Sequence, residues 1–524
     1  MGGSYKMRLN KTFIREWILP ILFLIIIGFF VIGSSPVFKT NPWVDSNAML
    51  TMGKSMLHGL VPYRDVIDQR GPLLYALFAV GASIKGTSFS GVFFLQLVNL
   101  SVVYYLARRI AQDLKQNVIS PKYAGFMGPL ALVGTRAFSM SGAPEEFAFT
   151  SVLYLLYVLN HYRQRVGDIP LKTYFWLGLN LSFIFWNKYS LSGSYIVFFL
   201  WVAVELLYKK DFKKLFKIIG ASLLGFLLTA VIVAIYFGLH NAFKDLINIY
   251  FVQNLTSYRQ TKQSFLGQFW YLLYLMGMQL KTHFIVFIFI ICGWLKAISE
   301  KKHVVIEVAM YFGAILFVCL QHWLDDYYTL IWMPFFAVAL IRLLRLQKLR
   351  TAVFDKKLLA PVKILLVASL IIMPFVNNDN LYHLVVNGEK HSLNGETHQA
   401  QEQFSKIMKS DYKKPSLLMI NDLDEGFFLA TDILPTTPFW QKLNMNYKQL
   451  PKMYWSFEKN MRQKAVDFVI INVQAPPTSD RKTVLLQAKE SIDPHLHDAL
   501  LYNYKVRSVA SNSTNTYYVL FEKK

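Results

Sequence analysis

The feature that most constrains this chain is a succession of apolar runs, most of them near the roughly 20 residues needed to cross a bilayer. Eleven occur, near 17–34, 90–110, 120–136, 147–160, 173–188, 192–208, 215–238, 282–296, 304–321, 329–345 and 358–376. Backbone carried into hydrocarbon must satisfy its own N–H and C=O groups, so such runs are expected as helices that cross the membrane together. The shorter ones, 147–160, 173–188 and 282–296, borrow polar flanks such as His161 and Lys281, whose ends snorkel. The expected fold class is a polytopic α-helical membrane protein with about eleven transmembrane helices. Composition agrees, with 54% hydrophobic and only 17% charged residues, against about 25% charged in soluble domains. A disordered, coiled-coil or collagen-like chain is excluded.

Lys and Arg in short loops set the orientation, because such loops stay in the cytosol. With residue 1 inside, the cytosolic pieces 1–16, 106–122, 161–172, 209–217, 296–303 and 342–363 hold 26 basic residues. The longer opposite pieces, 35–89, 136–146, 188–191, 239–281 and 322–328, hold 11. The net charge of +23, which in a soluble protein would suggest nucleic acid, is therefore ascribed to the membrane, and no nucleic-acid partner is expected. The basic residues before 18–33 also suit a secretory signal, although the run exceeds the usual signal core. Either way the following loop is outside. Cys292 and Cys319 both lie in apolar runs, so no disulfide framework or thiolate metal site is available.

An odd number of crossings places 377–524 outside, a tail large enough for one small domain. The runs 416–421 and 465–472 read as short buried strands, 504–522 as a β-hairpin turning at 511–515, and 396–409 as an amphipathic helix. The expected division is a membrane domain over 1–376 and an extracytoplasmic α/β domain over 377–524.

The loop 35–89 is the most informative stretch. Residues 45–58 carry Met49, Leu50, Met52, Met56 and Leu57 at near-helical spacing, which predicts an amphipathic helix lying on the membrane surface. Residues 71–80, apolar but short and led by Pro72, suit a second interfacial or re-entrant helix. Around them stand Asp45, Arg64, Asp65, Asp68 and Arg70, beside aromatic residues. Charge held at a bilayer surface by rigid helices is where chemistry on a lipid-linked substrate is placed. The competing readings are a helix N-cap for Asp45 and plain pairing of Asp65 and Asp68 with Arg64 and Arg70.

An early acidic residue, then a Gly-x-x-Pro-Tyr step (59–63), then Asp-Gln-Arg-Gly-Pro-Leu-Leu-Tyr (68–75), resembles the GT-C glycosyltransferases of the protein O-mannosyltransferase and aminoarabinose transferase superfamily, especially its bacterial cell-surface branch. The resemblance covers 10–376, and its specificity lies in the joint order of loose motifs. It implies a polyprenyl-phosphate sugar donor, a cell-envelope acceptor such as teichoic acid, and inverting transfer on the outer face with Asp45 as general base. Where many relatives have Glu after that aspartate, this chain has Ser46, and Gly71 replaces the first proline of the Lys-Pro-Pro-Leu type motif. The chemistry stands on its own terms too: an acceptor hydroxyl needs a carboxylate to take its proton, an assistance worth about 10² to 10⁴ in rate. No Gly-rich nucleotide loop is present.

Other polar residues fall in the outer loops. Glu145 and Glu146 precede an apolar helix, where they suit its N-terminus, and are also candidates to line the site or hold a divalent cation. Lys188, at an outer helix end, is either a snorkelling residue or a ligand for a lipid phosphate. The strip 248–262, which reads as an aromatic belt segment, contains Arg259, a phosphate candidate. The loop 321–328 contains His322, a phosphate ligand or a helix cap, and Tyr327 and Tyr328, interface anchors by their aromatic character or, as the resemblance implies for a Tyr-Tyr pair here, neighbours of the donor phosphate. Glu205 and Glu307, near inner helix ends, are expected to be structural. No His, Cys, Asp and Glu cluster has zinc spacing. The alternative function is a transporter or flippase of lipid-linked sugars, against which stands the absence of internal repeats. A third reading, a sensor or scaffold with an outer domain, leaves the 35–89 loop without a purpose.

Overall fold

The computed structural model describes residues 13–38, 43–115, 119–139, 141–257, 264–321, 325–345, 361, 364–365, 367–369, 372–373, 399–474, 476, 480–512 and 516–524. Most of the run 358–376, the start of the tail, and the candidates Arg259 and His322 lie outside the described residues.

The membrane part is helical: α1 (Leu19–Val31), α2 (Val44–Leu57), α3 (Pro72–Ile84), α4 (Ser90–Asp113), α5 (Met127–Val133), α6 (Pro144–His161), α7 (Leu171–Lys188), α8 (Gly193–Tyr208), α9 (Phe212–Leu239), α10 (Phe265–Thr282), α11 (Phe284–Ser299), α12 (Val305–Cys319) and α13 (Met333–Leu343). Among the described residues, Ile14–Val31, α4 and α9 are each long and apolar enough to cross a membrane alone. Two further pairs pass together but are sharply bent, α7 with α8 by 117° and α10 with α11 by 86°. One face of α9 leaves Phe216, Leu224, Ile232 and Ile235 exposed, the pattern of a helix that faces lipid.

Two expectations about the runs are corrected. The run 120–136 is not one helix, since it breaks at Gly125 into Pro121–Ala124 and α5 and ends in a 3₁₀ turn at Arg136–Ser139. The outer piece 239–281 is not simply a loop carrying a surface strip at 248–262. It contains α10, an 18-residue helix whose Leu275 joins the bundle core, and before it a helical turn at Ile247–Gln253 that buries Tyr250.

The tail is an α/β unit with helices α14 (Gln399–Asp411), α15 (Phe427–Thr431), α16 (Pro451–Arg462), α17 (Arg481–Glu490) and α18 (His497–Asn503) around strands β1 (Leu417–Met419), β2 (Phe468–Val473), β3 (Tyr504–Ser511) and β4 (Tyr517–Lys523). The sheet order is β1-β2-β4-β3. β1 runs parallel to β2, with Leu417 opposite Phe468, and β4 is antiparallel to both β2 and β3. Helices cover both faces of β2, which explains why its sequence is an unbroken apolar run rather than an alternation.

The third correction concerns α2. An amphipathic helix at a membrane surface would keep one face wet, yet every residue from Ser46 to Ser55 is buried. On one side α3 comes so close that a Cβ on Gly53 would stand 2.5 Å from the Ala79 nitrogen. On the other side the tail covers the polar residues: Thr51 Oγ1 donates to Asp424 Oδ2 at 2.9 Å, and Lys54 pairs with Asp432. Apolar residues of α2, α3 and the tail share one core, including Met49, Leu74, Phe404 and Trp440. The polar stripe of α2 is therefore a docking face for protein, not for headgroups.

Candidate active site

The loop after α2 is shaped by a tight turn at 62–66, in which the Tyr63 N–H donates to the Val66 carbonyl at 2.8 Å. Tyr63 sits at φ 70°, a left-handed conformation that costs a non-glycine residue about 1–2 kcal/mol. Its buried ring touches Tyr75, Phe237 and Tyr250, and its hydroxyl donates to the Arg70 carbonyl at 2.6 Å. From the other side the Arg70 N–H donates to the Tyr75 hydroxyl at 2.9 Å. Next in sequence, the Gly71 N–H reaches the Asn187 carbonyl at 3.2 Å. A Cβ on Gly71 would lie 2.2 Å from the Trp186 carbonyl oxygen, so only glycine permits this approach of the loop to the end of α7.

These contacts fix Arg70 between two carboxylates. Its Nη1 donates to both oxygens of Asp68, at 2.8 and 2.6 Å, and its Nη2 pairs with Asp45 Oδ1 at 2.6 Å. Asp68 is wholly buried, whereas Asp45 and Arg70 keep 16% and 12% of their side chains exposed. Burial raises the Asp68 carboxyl above its usual range although Arg70 opposes it. Burial alone would lower the Arg70 guanidinium, and Asp45 and then Asp68 more than offset that, so it is held well above its ordinary value. Asp45 stands inside the first turn of α2, with Trp43 as the capping residue and no side-chain cap bond. Asp65, by contrast, pairs with the exposed Arg64 at 2.7 Å and receives the Val61 N–H, a plain surface turn.

A second pair lies alongside. Lys188, the last residue of α7, reaches Glu145 Oε1 at 2.7 Å and faces the ring of Tyr328 at 3.8 Å and that of Tyr327 at 5.6 Å. Glu145 is fully buried, and among the described residues its Oε2 meets no hydrogen-bond partner. Tyr327 packs on Trp43 with ring centroids 5.2 Å apart and feels both Asp45 and Glu145 electrostatically. Trp43, Tyr327 and the Gly71–Asn187 contact thus join the Arg70 and Lys188 centres into one cluster at the end of the bundle covered by the tail.

Of the residues singled out from sequence, Asp45, Asp68, Arg70, Glu145, Lys188 and Tyr327 come together. Glu146 turns elsewhere: its Oε2 accepts from Gly142 N–H and from Gln96 Nε2, both at 2.8 Å, closing the turn before α6. Ser46 is buried and donates to the Ser141 carbonyl at 3.3 Å, a packing contact with the turn before α6. Trp43 is added by the structure, and Tyr328, read from sequence as an interface anchor, joins it beside Lys188. The only sequence signal for Trp43 is its aromatic character next to Asp45 in a short loop. Among the described residues, no three His, Cys, Asp or Glu side chains converge as a metal-binding set.

In solved structures, ArnT from Cupriavidus metallidurans bound to undecaprenyl phosphate superposes with a TM-score of 0.62, covering 98% of this chain and 98% of that one at 10% identity. The chain has the fold of ArnT. The apo state of ArnT gives a TM-score of 0.58 over 97% of this chain and 98% of that one, again at 10% identity. No protein-family model and no curated protein matches the sequence. The resemblance to aminoarabinose transferases, drawn from 10–376, holds as a fold with ArnT over nearly the whole chain, tail included.

Proposed function

We propose that this protein is a multi-pass membrane glycosyltransferase of GT-C type, which moves a sugar from a polyprenyl-phosphate donor to a cell-envelope acceptor on the outer face of the membrane. The observation that carries this reading is the convergence of Asp45, Arg70 and Lys188 at one end of an ArnT-like fold. ArnT is seen with undecaprenyl phosphate, and two basic side chains in an aromatic-walled cluster suit the phosphate of such a donor.

In this reading Asp45 takes the proton of the acceptor hydroxyl as it attacks the anomeric carbon from the face opposite the phosphate, inverting the configuration. Negative charge grows on the departing polyprenyl phosphate, and Arg70 and Lys188 stabilise it in surroundings of low dielectric. Glu145 aims Lys188, and Tyr327 walls the pocket. Arg259 and His322 are further phosphate ligands in this scheme. The membrane domain over 1–376 does the chemistry, the N-terminus is cytoplasmic, and the extracytoplasmic domain over 377–524 covers the site and meets the acceptor, with teichoic acid the foremost candidate.

The test is sugar transfer by the purified full-length protein in lipid, with a panel of polyprenyl-phosphate sugars and a crude wall fraction, comparing the parent with Asp45→Asn. Transfer by the parent and not by an equally folded variant is the expected result. Equal transfer moves the base to another residue, and no transfer by either protein favours a flippase.

A further inference from the structure

The two carboxylates that share Arg70 are not equivalent. Asp68 has no exposed surface, holds one guanidinium nitrogen with both oxygens, and takes the Gln69 N–H as well. Asp45 meets the other nitrogen with a single oxygen and is the more exposed of the two. The backbone of Arg70 is pinned independently by Tyr63, Tyr75 and the Gly71–Asn187 contact. One side of Arg70 is therefore fixed, and the other is open to exchange. The contact that orders Asp45 also occupies its Oδ1, the oxygen that must be freed before it can meet an acceptor hydroxyl.

Resting on the reading of Asp45 as base, we propose that Asp68 is a positioning residue that retains Arg70 while the donor phosphate displaces Asp45 from its outer nitrogen, so that the donor itself releases the base. No covalent step is involved. The phosphate takes over the N–H donor that Asp45 gives up, and the freed carboxylate turns to the acceptor hydroxyl. The groups facing this exchange are Tyr63, Tyr75 and Tyr250 on the Arg70 side, and Tyr327, Lys188, Glu145 and Asp325 on the Asp45 side. The partner of Lys188, Glu145, is fully buried, whereas Asp45 is part-exposed, so Arg70 is the cation whose partner exchanges.

The experiment measures binding of undecaprenyl phosphate to the full-length protein in lipid nanodiscs, which needs neither the sugar nor the acceptor. Because Asp45 and phosphate compete for one nitrogen, Asp45→Asn tightens binding by about fivefold, the scale of one part-exposed ion pair. Arg70→Gln weakens it about tenfold or more and abolishes the gain from Asp45→Asn. Asp68→Asn weakens it because Arg70 then turns wholly to Asp45, and the double variant Asp68→Asn with Asp45→Asn recovers the loss. A purely structural role for Asp68 gives no such recovery, and melting temperatures show which variants remain folded. The proposal is overturned if Asp45→Asn leaves affinity unchanged or lowers it, if its gain persists without Arg70, or if the double variant binds no better than Asp68→Asn. These outcomes are separate from the transferase reading: sugar transfer without the binding pattern sinks only the exchange, and the binding pattern without transfer sinks only the enzyme.

Discussion

Two buried arginine centres stand at opposite ends of the helical bundle and are built differently. At the end away from the tail, Arg342 holds Glu307 through two nitrogens, each at 2.8 Å, while Trp294 Nε1 donates to Glu307 at 3.0 Å and Asn160 accepts from Arg342 at 3.0 Å. That pair is 4% and 1% exposed and both carboxylate oxygens are engaged, so it ties α6, α11, α12 and α13 together as a staple. At the tail end, Arg70 is divided between a buried and a part-exposed carboxylate, and one oxygen of Glu145, beside Lys188, meets no partner among the described residues. A carboxylate with both oxygens engaged, in a pair sealed from solvent although Arg342 Nε meets no partner among the described residues, marks a group whose work is to hold helices. Polar capacity left over, in contact with aromatic walls, marks one that awaits something else.

The largest test of this contrast is Asp45→Asn, expected to cut sugar transfer by about 10² to 10⁴ while leaving the melting temperature close to that of the parent. Next, Glu307→Ala leaves Arg342 buried and unpaired and is expected to cost about 3–5 kcal/mol of stability, read as a lowered melting temperature in detergent, while the folded fraction keeps its transfer rate. If Asp45→Asn destabilised as much as Glu307→Ala, both centres would be staples and the distinction would fall. Gly71→Ala forces the loop off α7 and is expected to cost about 1–3 kcal/mol through overpacking, with a loss of transfer larger than that from a comparable strain elsewhere.

The smallest effect concerns the tail. Asp424, bonded to Thr51, is fully buried, and desolvation pushes its carboxyl up to about 6, well above the ordinary range of an aspartate. A carboxyl raised in this way favours the folded state most below its unfolded value and loses that advantage as pH rises through about 6. Lowering the pH from 7 to 5 is therefore expected to stabilise the docked tail by about 1–2 kcal/mol, and Asp424→Asn to remove that dependence. Equal pH responses in parent and variant would assign it to another group.

Much of the site is legible in the sequence because ionisable residues beside apolar runs are few and their cost in a membrane makes each one informative. Asp45, Asp68, Arg70, Glu145, Lys188 and Tyr327 are found that way. Their partnerships are not, because the pairing of Lys188 with Glu145 spans 43 residues and the seat of Arg70 depends on the backbone of Tyr63 and on a glycine at 71 pressed against α7. The helices are read from hydropathy, whereas the break at Gly125 and the bends of 117° and 86° come from packing that no local pattern encodes. The misreading of α2 has the same origin. Thr51, Lys54 and Ser55 form a polar stripe, and period alone does not say whether water, headgroups or another part of the chain will cover it.

That cover arrives late. Thr51 and its partner Asp424 are 373 residues apart, so at about 5–20 residues per second the ribosome needs roughly 20–70 seconds to deliver the second after the first. During that interval α2 has left the ribosome with its inner stripe bare, and the insertion of every later helix proceeds around an unfinished loop. Assembly of this protein therefore closes from the tail back onto α2, and a chaperone that shields α2, or a premature stop before the tail, would act on the end of the bundle that holds Asp45, Arg70 and Lys188 without touching any of them.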